Sequence, residues 1–250
     1  MADPFLRAVK LPPDREGRPR SGYPWTLPAI APLAAGVPLH PSVTYLIGEN
    51  GSGKSTLLEA IAVAAGMNAE GGSSSFAFNT RASHSELSSA IRLVRSARRP
   101  RTDFFLRAES MFNAATYVEQ LRDEGGLGGD PLAAYGGRSL HEQSHGESFL
   151  AVMINRFGPD GLYLLDEPEA ALSTQNCLTA VRRIHELVQA GSQLIIATHS
   201  PIILAYPEAT IYHCSDRGIE PVEYEEAEPV RLTRSFLDSR ARFLAELLRD

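Results

Sequence analysis

A glycine-rich run between an apolar segment and a helical pattern constrains this chain more than any other feature of its sequence. Gly48 to Ser55 read Gly-Glu-Asn-Gly-Ser-Gly-Lys-Ser, which fits the spacing G-x-x-x-x-G-K-[ST]. The run follows a β-branched and apolar segment, residues 42–47, and precedes apolar residues at helical spacing up to about Gly66. A strand, a glycine-rich turn and a helix in this order predict a phosphate-binding loop, because the loop N–H groups and the helix N-terminus point at one anion.

The residue types of this loop predict how it would bind ATP and Mg²⁺. Glycine lets the backbone fold around the phosphates, Lys54 is expected to bind the β- and γ-phosphates, and the Ser55 hydroxyl is expected to hold Mg²⁺. Lys54 and Lys10 are the only lysines among 24 basic residues, which fits a position that arginine would not fill. The residues expected to contact the nucleotide are Gly48, Glu49, Asn50, Gly51, Ser52, Gly53, Lys54, Ser55 and Thr56.

A second apolar segment ends in two adjacent acids. Leu162 to Leu165 are apolar, and Asp166 and Glu167 follow directly. Carboxylates at the end of a buried strand need a partner for their charge, and Mg²⁺ is the natural one beside a phosphate loop. We therefore expect Asp166 to bind Mg²⁺, directly or through water, and Glu167 to act as the general base that polarises the attacking water.

A histidine follows the next apolar segment. Residues 193–197 predict another buried strand, and Thr198 leads from it into His199-Ser200-Pro201. A parallel sheet binds its ligand at the carboxyl ends of its strands, so His199 is expected beside the phosphates. There it would hydrogen-bond the γ-phosphate or hold the attacking water.

These three elements stand in the order found in ATPases of the ABC class, and a fourth element resembles that class too. Gln143-Ser144-His145-Gly146-Glu147-Ser148 resembles the ABC signature, with Ser144 and Gly146 matching. Glu147 stands where glutamine is usual, and His145 replaces the usual first glycine. The resemblance covers roughly residues 40–205 and is closest to the small stand-alone "predicted ATPase" group with a Ser-His-Gly-Glu signature.

The resemblance implies a mechanism and a partner. ABC-class ATPases hydrolyse ATP as head-to-tail dimers that hold two ATP molecules between two copies. By this resemblance, Ser144, Gly146 and Glu147 of one copy would contact the nucleotide bound by the other copy. Residues 171–173 would form the D-loop at the dimer interface, and the homodimer would form on ATP binding.

One residue departs from the ABC pattern, and the role of stacking on adenine has two candidate residues. Glu109 stands where a glutamine usually senses Mg²⁺ and the attacking water. It is expected as a third metal-site residue, and the alternative is a surface acid at a helix start. Tyr23 or Trp25 is expected to stack on adenine, and the alternative for both is packing in an edge strand.

Alternating strands and helices predict an α/β fold: a P-loop NTPase whose mainly parallel sheet is flanked by helices. We expect one ABC-type nucleotide-binding domain over residues 1–250, with a small helical subdomain that carries the signature over about 80–157. The patterns predict strands over 42–47, 102–106, 162–165 and 193–197. They predict helices over 85–99, 110–122, about 149–154 and 174–189, and a last helix over 232–248 that packs on the core.

Composition limits the kinds of partner and cellular location that we expect for this chain. The net charge of −6 excludes a protein that binds nucleic acid through its overall charge. Arg92, Arg95 and Arg99 on the helix predicted over 85–99 leave open a local docking or phosphate-backbone patch, or a solvated face. No apolar run approaches the roughly 20 residues that cross a bilayer, and the first 20 residues lack a signal-peptide pattern, so we expect a cytoplasmic chain with reduced Cys177 and Cys214.

Other functions remain open on the sequence. One is an ATP-gated regulatory or nucleic-acid-associated module with little turnover, and a DNA or protein partner would suit it. The chromosome and repair ATPases of this class carry long coiled-coil arms, whereas only 34 residues separate Glu109 from Ser144 here. Another is the ATP subunit of a transporter. A GTPase is disfavoured because neither lysine lies in an Asn-Lys-x-Asp sequence.

Overall fold

The computed structural model describes residues 3–14, 20–69, 71–73, 86–108, 137, 139 and 142–249. Its centre is a six-stranded sheet in which all strands but the last are parallel. In spatial order the strands are β5 (Thr102–Arg107), β6 (Gly161–Asp166), β7 (Gln193–Ala197), β3 (Val43–Ile47), β8 (Ala209–Ser215) and β9 (Gly218–Val222). The strands predicted over 42–47, 102–106, 162–165 and 193–197 are therefore confirmed.

The central strands are buried along their whole length because both faces of the sheet are covered. Every residue of β3, β6 and β7 is buried. On one face pack α3 (His145–Asn155) and α4 (Thr174–Gln189), and on the other packs α1 (Lys54–Ala65). The predicted parallel sheet flanked by helices is confirmed, and the helix predicted over 174–189 has those bounds in the structure.

A second, antiparallel sheet of three strands corrects one predicted helix. Its order is β2 (Val37–Pro38), β1 (Leu6–Lys10) and β4 (Arg92–Arg95), and a one-turn helix, α2 (Leu87–Ala90), precedes β4. The helix predicted over 85–99 is wrong, because residues 92–95 pair with β1 across more than 80 positions of sequence. Arg92, Arg95 and Arg99 consequently share no helix face.

The C-terminal region corrects a second expectation. In place of one helix over 232–248, the chain forms α5 (Glu228–Asp238) and α6 (Arg240–Leu247), with a break at Ser239. Val230 is the one buried residue of these two helices, whereas Leu232, Leu237 and Leu247 are exposed. The two helices contact each other through Phe236 and Phe243, whose ring centroids lie 5.9 Å apart. The helical periodicity was sufficient to indicate an amphipathic helix, but it carries no information about what covers the apolar face.

The fold gathers the ends of four elements at one edge of the main sheet. The turns after β3, β5, β6 and β7 all lie at the carboxyl ends of parallel strands, where α/β sheets bind ligands. No helix in the described ranges is long and apolar enough to cross a membrane. Glu109 and the helix predicted over 110–122 lie outside the described residues.

Candidate nucleotide-binding site

The loop between β3 and α1 requires glycine at two positions. Gly48 has a φ of +142°, and a Cβ there would lie 2.2 Å from the Cys214 carbonyl oxygen. Gly53 has a φ of +93°, and a Cβ there would lie 2.9 Å from the Cβ of Leu27. The loop is therefore held between β8 on one side and the segment before β2 on the other. Because a side chain at either position would clash with these neighbours, the loop requires glycine there.

Lys54 lies inside this loop and is almost fully buried, at 4% exposure. Its Nζ donates hydrogen bonds to the carbonyl oxygens of Gly48 at 2.7 Å and Glu49 at 2.9 Å. Burial lowers the pKa of Lys54 from its usual value, and the carboxylates of Glu167 and Asp166 oppose that shift. A buried ammonium with carbonyl partners at the N-terminus of a helix is suited to an anionic ligand.

The two described members of the predicted metal site are in direct contact. The Ser55 hydroxyl donates to Asp166 Oδ1 at 2.9 Å, and Asp166 is 5% exposed. Hydroxyl and carboxylate oxygens are ligands that Mg²⁺ prefers, so this pair fits the ion. Among the residues described, no group of three His, Cys, Asp or Glu side chains forms a complete metal cage. Mg²⁺ usually takes one or two protein ligands and fills its other positions with phosphate and water, so a pair is sufficient.

Arg107 is a neighbour of Asp166 that the sequence argument missed. It ends β5 and is paired in register with Asp166 on β6. Its Nε lies 3.5 Å from Asp166 Oδ2, and its Nη1 donates to Glu59 Oε2 at 3.0 Å. The guanidinium thus joins α1 to the metal-site carboxylate. The strand order, which the sequence alone did not provide, is the signal that would have identified it.

Glu167 and His199, predicted as catalytic residues, are neighbours. Glu167 follows β6 with a left-handed backbone, φ 48° and ψ 54°, and its N–H donates to the Ala197 carbonyl at 2.9 Å. His199 Nε2 lies 3.8 Å from Glu167 Oε1. Both side chains are partly exposed, although His199 Nε2 itself is buried.

Glu169 is a second residue that the sequence argument missed. It lies in the single 3₁₀ turn Pro168–Ala170 after β6. Its Oε2 accepts a hydrogen bond from the Thr198 hydroxyl at 2.7 Å, and its Oε1 accepts one from the His199 backbone N–H. The sequence shows that it lies two residues after Glu167. It does not show the hydrogen-bond partners, which follow β7.

The residues that resemble the ABC signature form the start of α3 at the protein surface. Ser144 caps the helix: its hydroxyl oxygen accepts from the Glu147 backbone N–H at 3.3 Å, and its own backbone N–H donates to Glu147 Oε2 at 3.0 Å. Gly146 is buried, and a Cβ there would lie 2.9 Å from the Ala171 carbonyl oxygen. The signature segment and residues 171–173 are therefore one packed unit.

Of the two candidate aromatic residues, Tyr23 lies beside the phosphate loop. Its hydroxyl is 3.4 Å from Thr56 Oγ1, and its side chain is 71% exposed. Trp25 instead packs against the apolar core, with the Arg20 guanidinium 4.9 Å above its ring. The far side of the loop borders an open cleft of about 940 Å³ between residues 49–52, the β8–β9 hairpin and α5.

Comparison with known proteins agrees with this geometry. A family model described as an AAA domain matches residues 36–123. Two curated relatives are the ABC multidrug transporter SNQ2 of Candida glabrata, 27% identical over 181 residues, and the ABC transporter G family member STR2 of Medicago truncatula, 26% identical over 172 residues. The alignments cover 67% and 64% of this chain but only 12% and 24% of the two relatives.

Solved structures with a similar chain path include the SMC head domain from Thermotoga maritima, with 16% identity and a TM-score of 0.45 over 88% of this chain and 99% of that chain. Another is cbiO1 from Clostridium perfringens, part of the ABC transporter complex cbiONQ, with 16% identity and a TM-score of 0.49 over 98% of this chain and all of that one. The AAA-domain match includes the phosphate loop, and the geometry of that loop agrees with a P-loop NTPase domain.

Proposed function

We propose that this chain is a Mg²⁺-dependent ATPase that works as an ATP-sandwich homodimer. The observation that carries the proposal is the contact of Ser55 with Asp166, 2.9 Å apart, at the sheet edge that also holds Lys54, Glu167 and His199. A phosphate loop, a metal-binding pair and a base at one edge are the parts that phosphoryl transfer to water requires. The resemblance of the Ser-His-Gly-Glu signature to that of the stand-alone "predicted ATPase" group supports the proposal.

Lys54 binds the β- and γ-phosphates in this proposal. Its Nζ now bonds two loop carbonyls, so it exchanges these neutral acceptors for phosphate oxygens that carry full negative charge. Ser55 and Asp166 hold Mg²⁺, with Glu109 as the third residue of the metal site. When bound, the ion neutralises the charge that develops on the phosphate oxygens.

Glu167 accepts the proton of the attacking water. The water oxygen bonds to the γ-phosphorus, the bond to the bridging oxygen breaks, and ADP leaves with the electron pair of that bond. His199, on the adjacent loop, hydrogen-bonds the γ-phosphate or the water. The 3.8 Å between His199 Nε2 and Glu167 Oε1 supports joint action on one small ligand.

The sandwich explains why the signature residues lie at the surface. Ser144 and Glu147 are exposed at the N-terminus of α3, where the partial positive charge of an 11-residue helix favours an anion. In the dimer these residues and the backbone of Gly146 contact the nucleotide of the second copy. Tyr23, 3.4 Å from Thr56, stacks on the adenine.

A phosphate-release assay tests the chemistry. Glu167→Gln keeps the shape of the side chain but removes the base, so ATP should bind with unchanged affinity while turnover falls by about 100-fold or more. Lys54→Ala should abolish binding of a fluorescent ATP analogue, whereas Lys10→Ala, at the only other lysine, should not. Wild-type turnover in Glu167→Gln would refute the assignment of the base.

The curated relatives favour a second candidate, the ATP subunit of a transporter, because both are ABC transporters. In that case the purified chain would hydrolyse ATP weakly alone and strongly with a membrane partner. A chain that dimerises and turns over ATP by itself would favour the stand-alone enzyme.

Gel shifts on short duplex DNA with and without ATP test the third option, since salt-sensitive binding that requires ATP would indicate a nucleic-acid-associated module.

A further inference from the structure

One carboxylate joins the turn after β6 to the loop after β7. Glu169 lies in the 3₁₀ turn that begins after Glu167, and both of its oxygens accept hydrogen bonds from the other loop. Oε2 bonds the Thr198 hydroxyl at 2.7 Å, and Oε1 bonds the His199 backbone N–H. Two donors on successive residues therefore fix the backbone at 198–199 relative to the turn that carries Glu167.

Thr198 extends this link into the sheet. It is fully buried, its backbone N–H donates to the Leu46 carbonyl at 3.2 Å, and its hydroxyl accepts from the Ser200 N–H at 3.0 Å. The hydroxyl thus donates to Glu169 and accepts from Ser200, which uses its one donor and one of its acceptor positions. The loop that carries His199 is consequently held on both sides of that residue.

The imidazole of His199 depends on this backbone for its place. Its Nε2 is buried and makes no hydrogen bond to a described residue, and the nearest carboxylate oxygen, Glu167 Oε1, is 3.8 Å away. A ring without a side-chain partner takes its direction from its own backbone and the surrounding packing. Any shift of the 198–199 backbone would therefore move the ring relative to Glu167.

We propose that Glu169 is a positioning residue for the hydrolysis: by bonding the Thr198 hydroxyl and the His199 N–H, it holds the His199 imidazole beside Glu167. This inference rests on the proposed ATPase function. Only a carboxylate serves at this position, because it offers two acceptor oxygens to two donors. Glutamine offers one acceptor, and its NH₂ group would face one of the two donors.

Steady-state kinetics test the proposal with four variants. Glu169→Gln and Thr198→Val should each lower kcat by about 10- to 100-fold, as expected for a misplaced catalytic group, with the Kd for ATP changed less than about 2-fold. Thr198→Ser keeps the hydroxyl and should retain wild-type kcat within about 2-fold. The kcat of the double variant Glu169→Gln/Thr198→Val should be no lower than that of the worse single variant, because both substitutions break the same hydrogen-bonded link. Glu246→Gln, an exposed acid on α6, is the matched control.

Fully additive losses of kcat in the double variant would overturn the proposal. A loss of kcat in Thr198→Ser equal to that in Thr198→Val would overturn it too. A spectroscopic readout keeps the test independent of turnover. Among the seven histidines of isotope-labelled protein, the ring signal of His199 is assigned by its absence in His199→Gln. Glu169→Gln should shift or broaden that signal, and Glu246→Gln should leave it unchanged.

The two readouts separate failure of the inference from failure of the proposed function. A His199 ring signal that is unchanged in Glu169→Gln would refute the positioning role, whatever the turnover. A shifted signal in a chain that hydrolyses no ATP would support the structural link and refute the ATPase assignment instead.

Discussion

At the scale of single residues, Glu167, the proposed general base, has an unfavourable backbone conformation. Its φ of 48° lies in the left-handed region, which costs a residue with a Cβ roughly 1–2 kcal/mol. It is held there by its bond to the Ala197 carbonyl and by the turn that follows. Non-glycine residues in this region are often found at functional sites, where the surrounding structure maintains the conformation.

Replacement of Glu167 by glycine and by alanine should separate this conformational cost from the loss of the carboxylate. Both variants remove the side-chain charge, but only glycine relieves the left-handed backbone, while it also loses more entropy on folding. Glu167→Gly should therefore be more stable than Glu167→Ala by about 1 kcal/mol, or about 2–4 °C in melting temperature without nucleotide. Equal melting temperatures would contradict the backbone conformation assigned to this residue.

The sequence indicates candidate site residues where the pattern is local. Residues 48–56 needed only their own spacing, and Asp166 and Glu167 needed only the apolar run before them. Arg107 and Glu169 were missed because their roles arise from partners on other strands. Arg107 is paired with Asp166 59 positions away, and Glu169 bonds residues 29 and 30 positions away.

At the scale of secondary structure elements, the start of α3 packs tightly on the loop after β6. Gly146 lies in the first turn of α3, where the approach of the Ala171 carbonyl leaves no room for a side chain. Ser144 and Glu147 close the capping box in the same turn, on either side of Gly146 in sequence. The helix end and the 171–173 segment should therefore respond together to substitution.

Alanine at Gly146 tests this packing. Its Cβ would lie 2.9 Å from the Ala171 oxygen, and overpacking against backbone costs about 1–3 kcal/mol, more than the roughly 1 kcal/mol that alanine gains in a helix. Gly146→Ala should lower the free energy of unfolding by about 1–2 kcal/mol in urea titrations. Gly158→Ala is the matched control, because a Cβ at Gly158 meets no atom within 4 Å. An equal effect of the two substitutions would show that α3 does not pack on residue 171 in this way.

The hydrophobic periodicity predicted the strands of the main sheet. It failed where a strand pairs with a segment distant in sequence, and it could not show whether another element covers the apolar face of a helix. Central strands are continuous apolar runs, so their sequence identifies them directly. Residues 92–95 alternate poorly, and their pairing with β1 decides their conformation. The leucines of α5 and α6 have helical spacing, yet they remain exposed because the spacing does not specify a neighbour.

At the scale of the whole molecule, the proposed dimer would form each nucleotide site from two copies of the chain. The phosphate loop, the metal-site pair, Glu167 and His199 share the carboxyl edge of one sheet. Ser144 and Glu147 of the signature are exposed at the start of α3, and in the proposed function they complete the site of a second copy. ATP would then act as the link between two copies, and hydrolysis would release them.

The mass of Glu167→Gln in solution, measured by light scattering with and without Mg-ATP, tests this central claim most directly. We expect the 27.2 kDa monomer without nucleotide and twice that mass with Mg-ATP, since the variant binds ATP but does not hydrolyse it. Adding Ser144→Arg to the same variant should leave ATP bound and keep the chain monomeric. A mass that stays at the monomer value while Glu167→Gln holds bound ATP would contradict the sandwich dimer.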